Sequence, residues 1–546
     1  MERYLLHLMK GAEIRTQDFL DSQEKNPAKL IYGGIRSEIV ETKPTIYALT
    51  AAISVYVSKE SRFYHDSILF DAINLAVDYI ARKQRNDGSF DYPSCNFHSA
   101  PDTSFCFKRL IAAYRLLVKF DDHTAGMTML QKKYLAVMHH ALDAIAAGGF
   151  HTPNHRWGIS AALLQGADLF KDEPAFAAKL KNRAARYLAE GIDGDDDGEY
   201  AERSTGNYNA VVNNAMIAMY EESGSEDFLE YVRRNLKMML YYIDPDDTIF
   251  TQNSTRQDQG KQMYPDKYFY QYLYMAARDH DPVFDAAAHK IIKDNMERGD
   301  IAPDCYHIVL NHDEMLHYHF EHYGYLKEYR KYFRHAGVLR VMKKNYSYTV
   351  ISGKSSFLYF KKGKMCIVLK IGEAYCDIRN FIPEKLEAGD SGAVLSGTAK
   401  GWYYLPFETP PATKDWWQMD QSSREKLYSS EIRTTLHIEE KEDGLAFRLR
   451  TEGLDGLPMR AEVCIPAGTV LDHEAFHLTA GAGEGLILRS GYLTMESEGT
   501  RMQLGEGFGE HEFKGHYSGE EVNTAGYTVY MNAYTPFEKT FAVKAL

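Results

Sequence analysis

Two short segments carry the side chains best suited to chemistry. The segment 152–156 places an amide, an imidazolium and a guanidinium side by side, from Asn154, His155 and Arg156, and a later segment contains Tyr208. Removal of the C5 proton of a uronic acid puts negative charge on its carboxylate, which all three donors can stabilise. Tyr208 could protonate the leaving O4 as a general acid, and could first remove the C5 proton. This combination favours β-elimination on a uronate.

Both segments also have a purely structural interpretation. Asn154 could cap a helix that begins near Arg156, with Pro153 as a turn former. Tyr208 starts a predicted helix whose apolar face continues through Val212, so its ring could pack in the core. The sequence leaves both interpretations open, and for Asn154 the two are compatible.

The segment 256–261, with Tyr264 after it, is a second candidate for contact with a sugar. Arg256 and Lys261 could pair with carboxylates, and Tyr264 could offer an aromatic face to a pyranose ring. The alternative is an ordinary loop that leads into a helix. These residues are therefore candidates for substrate binding, and the second interpretation stays open.

No metal or cofactor site is predicted from the sequence. The acidic run 193–198 matches the first half of a calcium-binding loop, but its twelfth position is Ser204 instead of the required glutamate. We interpret it as a solvated acidic turn. The six cysteines are scattered without C-x-x-C spacing, which is typical of reduced thiols and gives no zinc motif.

Composition bounds the class of protein. A chain of 546 residues with 45% hydrophobic content suits two or more domains with sizeable cores. The net charge of −13 argues against nucleic acid and membrane surfaces as partners, so an anionic sugar must meet a local basic cleft. We recognise neither a signal peptide nor a run of ~18 apolar residues. We expect a cytoplasmic protein, or a secreted one if a signal was removed.

The periodicity of apolar residues changes along the chain. A helical period predicts helices over 43–58, 65–84, 101–118, 129–147, 156–170, 173–190, 207–222, 225–242 and 266–279. After Tyr346, alternating patterns predict strands over 346–352, 356–360, 364–371, 431–438, 445–450, 460–465, 486–495 and 526–533. We therefore predict an (α/α) toroid of helical hairpins over 1–335 and an antiparallel β-sandwich over 336–546.

The two segments resemble motifs of a known group of enzymes. Asn154-His155, with Glu202-x-Ser204 and Tyr208 downstream, is similar to the Asn-His and Glu-x-Ser…Tyr motifs of the heparinase II/III-like and related alginate lyase families. The resemblance implies a toroid followed by a β-sandwich. It further implies that Asn154 and His155 neutralise the substrate carboxylate, that Tyr208 is the acid, and that Glu202 supports them.

One element of those families is missing. They often carry a His-Gly-His-x-Asp-like element early in the β domain, and the corresponding stretch 357–377 contains no histidine. The third catalytic group is therefore open. His98 is a candidate, as are four histidines of the segment 297–345, although a histidine in such surroundings is more often a structural hydrogen-bond donor. Those further histidines are His317, His319, His322 and His335.

The leading hypothesis is a lyase that cleaves uronate-containing oligo- or polysaccharides by β-elimination. Two alternatives belong to other classes. A toroid hydrolase would need two carboxylates as acid and base, for which Asp102, Glu38 and Glu202 are available. A noncatalytic glycan-binding protein would use the same groove. In each case the expected partner is an anionic glycan, and self-association is left open.

Overall fold

The structure, a computed structural model, describes residues 3–515 and 520–546. The chain divides into two compact units. The helical unit comprises Met1–Ile243 and Asp247–Leu326, and the strand-rich unit comprises Asp244–Asp246 and Lys327–Leu546. Among the described residues, no helix combines the length and apolar character that a membrane crossing would need.

The helices follow one another with short connections. They are α1 (Arg3–Ser22), α2 (Lys43–Tyr56), α3 (Ser67–Lys83), α4 (Ala100–Lys119), α5 (Ala125–Ala147), α6 (Pro153–Leu169), α7 (Pro174–Leu188), α8 (Tyr208–Ser223), α9 (Glu226–Leu240), α10 (Phe269–Asp279), α11 (Pro282–Arg298), α12 (Tyr306–Asn311) and α13 (Asp313–Leu316). A 3₁₀ turn, Pro265–Tyr268, leads into α10.

The helices of this unit form two concentric layers. The even-numbered helices α2 to α12 all line one central space. Among them α2 packs on α4, α4 on α6 and α6 on α8, and α12 contacts both α2 and α4. Gln271 on α10 donates to the Ala210 carbonyl on α8. The odd-numbered helices cover them from outside, with α3 against α5 and α5 against α7. This arrangement is the predicted (α/α) toroid.

The burial of side chains follows from the two layers. The outer helix α9 buries a stripe at helical spacing that includes Leu229, Val232 and Leu236, and its charged residues face outward. The inner helix α2 is apolar nearly all round, and every residue from Leu49 to Tyr56 is buried. Helices with one apolar face therefore enclose helices that are covered on several sides.

The strand-rich unit contains two sheets. Its strands are β1 (Tyr329–Phe333), β2 (Val338–Met342), β3 (Ser347–Ile351), β4 (Leu358–Lys362), β5 (Met365–Tyr375), β6 (Ile378–Asn380), β7 (Lys385–Gly389), β8 (Gly392–Tyr404), β9 (Lys426–Lys441), β10 (Gly444–Gly453), β11 (Pro458–Pro466), β12 (Val470–His473), β13 (Phe476–Thr479), β14 (Gly485–Ile487), β15 (Leu493–Ser497), β16 (Thr500–Gly505), β17 (Gly526–Tyr534) and β18 (Phe537–Ala545).

Within the described residues each sheet has nine strands. One runs in the order β1-β2-β3-β4-β5-β11-β17-β14, with β6 paired to β5, and the other in the order β13-β12-β15-β16-β18-β10-β9-β8-β7. Their pairs are antiparallel except for β14 with β17. Alternate residues face the shared core, as Leu436 and Ile438 do along β9. The predicted β-sandwich is confirmed.

All nine predicted helices are present, and the differences lie elsewhere. The sheets begin at Tyr329 instead of after Tyr346, because the segment 334–337 turns the hairpin between β1 and β2, with Gly337 at a positive φ of 63°. The predicted strand 486–495 is two strands, β14 and β15, separated by a turn in which Gly491 adopts a φ of 71°.

Candidate active site

The starts of the inner helices come together at one end of the toroid. Lys43, at the start of α2, pairs with Asp102 near the start of α4 at 3.1 Å. The ring of Phe105 on α4 lies edge-on to that of His155 on α6, with 5.9 Å between the ring centroids. The first N–H groups of a helix lack intrahelical partners and carry its positive dipole end, so this end of the toroid favours anions.

Asn154 is committed to contacts inside the protein. Its side-chain amide donates to Glu202 Oε2 at 2.7 Å and to Thr152 Oγ1 at 3.0 Å. Asn154 and Glu202 are only 1% and 5% exposed. The expected helix start near Arg156, with Asn154 as its cap, was wrong, because α6 begins at Pro153 after the N-cap residue Thr152. Asn154 instead lies within the first turn and holds a distant carboxylate.

Glu202 connects this contact to Arg256. Its second oxygen, Oε1, lies 3.3 Å from Arg256 Nε, although the angle does not form a hydrogen bond. Burial raises the pKa of Glu202, while the amide of Asn154 and the charge of Arg256 oppose that rise. The carboxylate of Glu202 therefore pairs with the guanidinium of Arg256 and holds it in position.

Arg256 in turn contacts Tyr208. The centre of its guanidinium lies 5.1 Å from the centroid of the Tyr208 ring. The Tyr208 hydroxyl donates to Gln257 Oε1 at 3.4 Å, and the ring is half-buried at the first position of α8. Contacts thus run from Asn154 through Glu202 and Arg256 to Tyr208, whose hydroxyl remains accessible to a ligand.

Asp258, which the sequence analysis did not single out, fixes the loops around this chain of contacts. It accepts hydrogen bonds from Ser204 Oγ at 2.8 Å, from Ser254 Oγ at 2.7 Å and from the Gly206 N–H at 2.9 Å. Ser204 Oγ also accepts the Tyr208 N–H at 2.9 Å. The serine of the Glu-x-Ser motif therefore orients the start of α8. In the sequence, the signal for Asp258 was an acid with Ser254 and Gly260 close by.

His155 is a neutral imidazole at neutral pH. Burial lowers its pKa to about 4; the charge of Asp102 opposes this shift, and those of His151 and Arg256 add to it. The His151 N–H donates to His155 Nδ1 at 3.4 Å, which leaves the proton on Nε2. The sequence analysis assumed an imidazolium, whereas the structure offers a neutral N–H donor.

The pH dependence of kcat/KM is expected to lack an acid limb near pH ~6.5, where an ordinary histidine titrates. Because burial depresses the pKa of His155, it stays neutral until the pH falls to about 4. Rate profiles of the wild type and His155→Gln would check this. A limb near pH ~6.5 that only the wild type shows would contradict it.

Arg156 lies in different surroundings. It pairs with Glu190 at 3.0 Å and approaches Asp193 at 3.6 Å. Its guanidinium also stacks on Trp157, 4.5 Å from the ring centroid. The structure thus brings Arg156 together with a surface ion-pair cluster, and its role as a substrate ligand stays a prediction.

The other three predicted residues are also separate from Tyr208. The side chain of Lys261 is exposed, and its N–H donates to the Asp258 carbonyl at 3.0 Å. The centroid of the Tyr264 ring lies 3.8 Å from the centre of the Arg298 guanidinium. His98 bonds Asp87 at 2.6 Å. Of the predicted set, the structure joins Asn154, Glu202, Arg256 and Tyr208 through contacts, and places His155 beside them.

Asn154→Ala is expected to lower the free energy of unfolding by about 1–3 kcal/mol, because it removes the side-chain donor of the buried Glu202 carboxylate. Urea unfolding of Asn154→Ala, Glu202→Gln and the double variant would test this. We expect a coupling energy of about 1 kcal/mol or more between the two positions. Additive effects of the two changes would show that the contact carries no stability.

Comparison with known proteins shows similarity in structure only. No protein-family model matches the chain, and no curated protein matches it in sequence. A Paenibacillus xanthan lyase superposes with a TM-score of 0.58 at 10% identity over 100% of this chain. The chondroitin AC lyase of Streptomyces coelicolor A3, in complex with chondroitin sulphate, gives 0.57 at 11% over 100% of the chain and 80% of its own. A mutant of heparan sulfate lyase HepC from Pedobacter heparinus gives 0.56 at 11%, over 97% and 82%.

These similarities establish the fold. The chain has the architecture of polysaccharide lyases built from a helical toroid and a β-sandwich, as the sequence motifs implied. It spans 57% of the length of the xanthan lyase, so the larger enzyme contains additional chain. At about 10% identity the likeness identifies neither a substrate nor individual catalytic residues.

Proposed function

We propose that this protein is a glycan lyase that cleaves uronate-containing oligo- or polysaccharides by β-elimination and leaves a 4,5-unsaturated sugar. The observation that carries this proposal is the accessible hydroxyl of Tyr208 beside the guanidinium of Arg256. A proton donor on a ring that contacts a cation suited to a uronate carboxylate supports this chemistry. The shared fold with polysaccharide lyases supports the same chemistry.

In this mechanism Arg256 and the Nε2–H of His155 stabilise the charge that develops on the carboxylate when the C5 proton leaves. The C5–H electron pair forms the C4–C5 double bond while the C4–O4 bond breaks. Tyr208 gives a proton to O4. In this proposal Tyr208 is also the acceptor of the C5 proton: it takes that proton as a phenolate and returns the same proton to O4.

Asn154 and Glu202 support the reaction as positioning residues in this proposal. Both donors of Asn154 already serve Thr152 and Glu202, and the side chain is buried. Glu202 keeps Arg256 over the ring of Tyr208. The resemblance to known lyases implied direct contact of Asn154 with the substrate; the contacts of this chain favour an indirect effect through Glu202.

A hydrolase of the same toroid type finds less support. Asp102 is buried and bound by Lys43, Ser99 and Asn96. Burial alone would raise the pKa of Asp102, but these partners lower it overall. Glu202 is likewise enclosed, and Glu38 is exposed. A glycosidase needs two carboxyl groups that flank the scissile bond, and Asp102 and Glu202 are both committed to protein partners.

Incubation with a panel of uronate polymers and oligosaccharides tests the proposed function. Elimination produces a conjugated unsaturated uronate, so ultraviolet absorbance should rise together with the number of reducing ends. New reducing ends without that absorbance would indicate hydrolysis. Binding without either signal, for every anionic glycan tested, would favour the noncatalytic alternative and remove the lyase proposal.

A further inference from the structure

A cavity of about 410 Å³ extends along the axis of the toroid, and the residues of the candidate active site do not line it. Along α8 its lining extends from Asn207 to Glu221, a span of about 20 Å at the rise of an α-helix. Asn207 directly precedes Tyr208, so one end of the cavity lies beside the candidate active site. The volume falls within the range of sites for small ligands.

Each carboxylate that lines this axial cavity already has a basic partner. The three pairs are Glu221 with His312, Asp304 with Arg109, and Asp266 with Arg298, at 2.7, 3.0 and 2.9 Å. A further cation in the same cavity is therefore not needed to balance these acids.

Two lysines of the cavity wall, Lys108 and Lys267, are cations that these acids do not need. Lys108, on α4, lines the cavity and has no carboxylate partner at ion-pair distance among the described residues. Burial lowers its pKa to about 7; the charge of Arg109 adds to this shift, and that of Asp304 opposes it. Lys267, whose side chain is exposed, donates to the amide oxygen of Asn207 at 2.5 Å and has no carboxylate at ion-pair distance in the part of the chain that the structure describes. A desolvated cation without a counter-charge is costly, and an anion in the cavity would offset that cost.

The other side chains that line the axial cavity indicate which further chemical groups a ligand would have. Apolar side chains such as Val211, Ile217 and Ile308 alternate there with polar groups. Gln165, which is 5% exposed, also lines the cavity, and its side-chain oxygen has no hydrogen-bond partner within residues 3–515 and 520–546. The site thus offers apolar contact for the body of a ligand, a carboxamide for a hydroxyl, and ammonium groups for a negative charge.

We propose that the axial cavity is a separate binding site for a small carboxylate, with the size of one or two sugar rings. Lys108 binds the carboxylate, Lys267 adds charge at the end near Tyr208, and Gln165 contacts a polar group of the ligand. The proposal requires only binding. It stands whether or not the protein catalyses elimination.

Titration calorimetry with D-glucuronate, benzoate and D-glucose tests this site. Glucuronate and benzoate share a carboxylate, and glucose is the neutral match of glucuronate. We expect at least one carboxylate to bind the wild type and glucose not to bind. Lys108→Met should lower that affinity roughly tenfold or more. Lys132→Met, which changes an exposed lysine away from the cavity, should leave it unchanged.

Two further measurements guard against a folding artefact. Lys108→Met should melt no earlier than the wild type, because it replaces an unpaired cation by an apolar chain of similar length. Ala112→Phe keeps every charge but fills the cavity, since Ala112 lies in its wall; it should also abolish binding.

Absence of binding by both carboxylates, equal binding of glucose and glucuronate, or full affinity in both variants would overturn the proposal. Preference for glucuronate over benzoate would support a sugar acid, and the reverse preference an apolar acid.

Discussion

Tyr208→Phe is expected to lower turnover roughly 10²-fold or more while the protein folds normally. The change removes only the hydroxyl, which donates to Gln257 at 3.4 Å in a half-exposed position. The ring stays in contact with Arg256, and the N–H that bonds Ser204 is unchanged. Substrate affinity should therefore largely survive, and the loss should appear in kcat. Steady-state kinetics on an active polymer, with a melting curve, would measure both.

Tyr264→Phe is the matched control. The ring of Tyr264 also contacts a guanidinium, which belongs to Arg298. Among the described residues Tyr264 has no contact with Tyr208 or Glu202. We expect near-normal turnover in this variant. If Tyr208→Phe retained wild-type turnover and melting, Tyr208 would have no part in the mechanism. The search would then move to Tyr264, Tyr268 and the tyrosines of the segment 297–345.

Arg256→Met is expected to reduce kcat/KM roughly 10²- to 10³-fold, because it removes the cation aimed at the developing carboxylate charge. It should also destabilise the protein by about 1–3 kcal/mol, since the buried carboxylate of Glu202 loses its counter-charge. Adding Glu202→Gln should restore much of the stability and little of the activity. Kinetics and urea unfolding of the single and double variants separate the two effects.

Arg156→Met is the comparison for this prediction. Both arginines contact an aromatic ring and a carboxylate, but Arg156 stacks on Trp157 and pairs with Glu190. The contacts of Arg156 predict a small change in kcat/KM. An equal loss in both variants would support the sequence-based assignment of Arg156 to substrate binding, and a loss only in Arg156→Met would contradict the proposed role of Arg256.

The fold could be predicted because its signals are local and repeated. Apolar residues at helical spacing identified α2 to α10, and alternation identified strands such as β3, β5 and β9. Two kinds of element escaped. Helix α1, helices α11 to α13 and strands such as β8, β16 and β18 were not recognised. Strands β1 and β2 lie in a segment rich in His and Tyr that was interpreted as a junction. In those regions the pairing of distant segments decides the structure more than local pattern does.

The candidate site was only partly predictable for a related reason. Residue type and order indicated Asn154, His155, Glu202 and Tyr208. The direction of each side chain could not be read from the sequence, because it depends on contacts between loops far apart in the chain. The amide of Asn154 bonds Glu202, and Arg256 fills the space between Glu202 and Tyr208. The neutral state of His155 likewise results from burial, which appears only in the folded protein.

The mass of the product tests the central claim most directly. Elimination splits a uronate chain without adding water, so one fragment is lighter by one water molecule than the corresponding hydrolysis product. We predict that the wild type releases this lighter, unsaturated fragment and that Tyr208→Phe releases it at least roughly 10²-fold more slowly. Release of the hydrated fragment, with no unsaturated end, would contradict the lyase assignment.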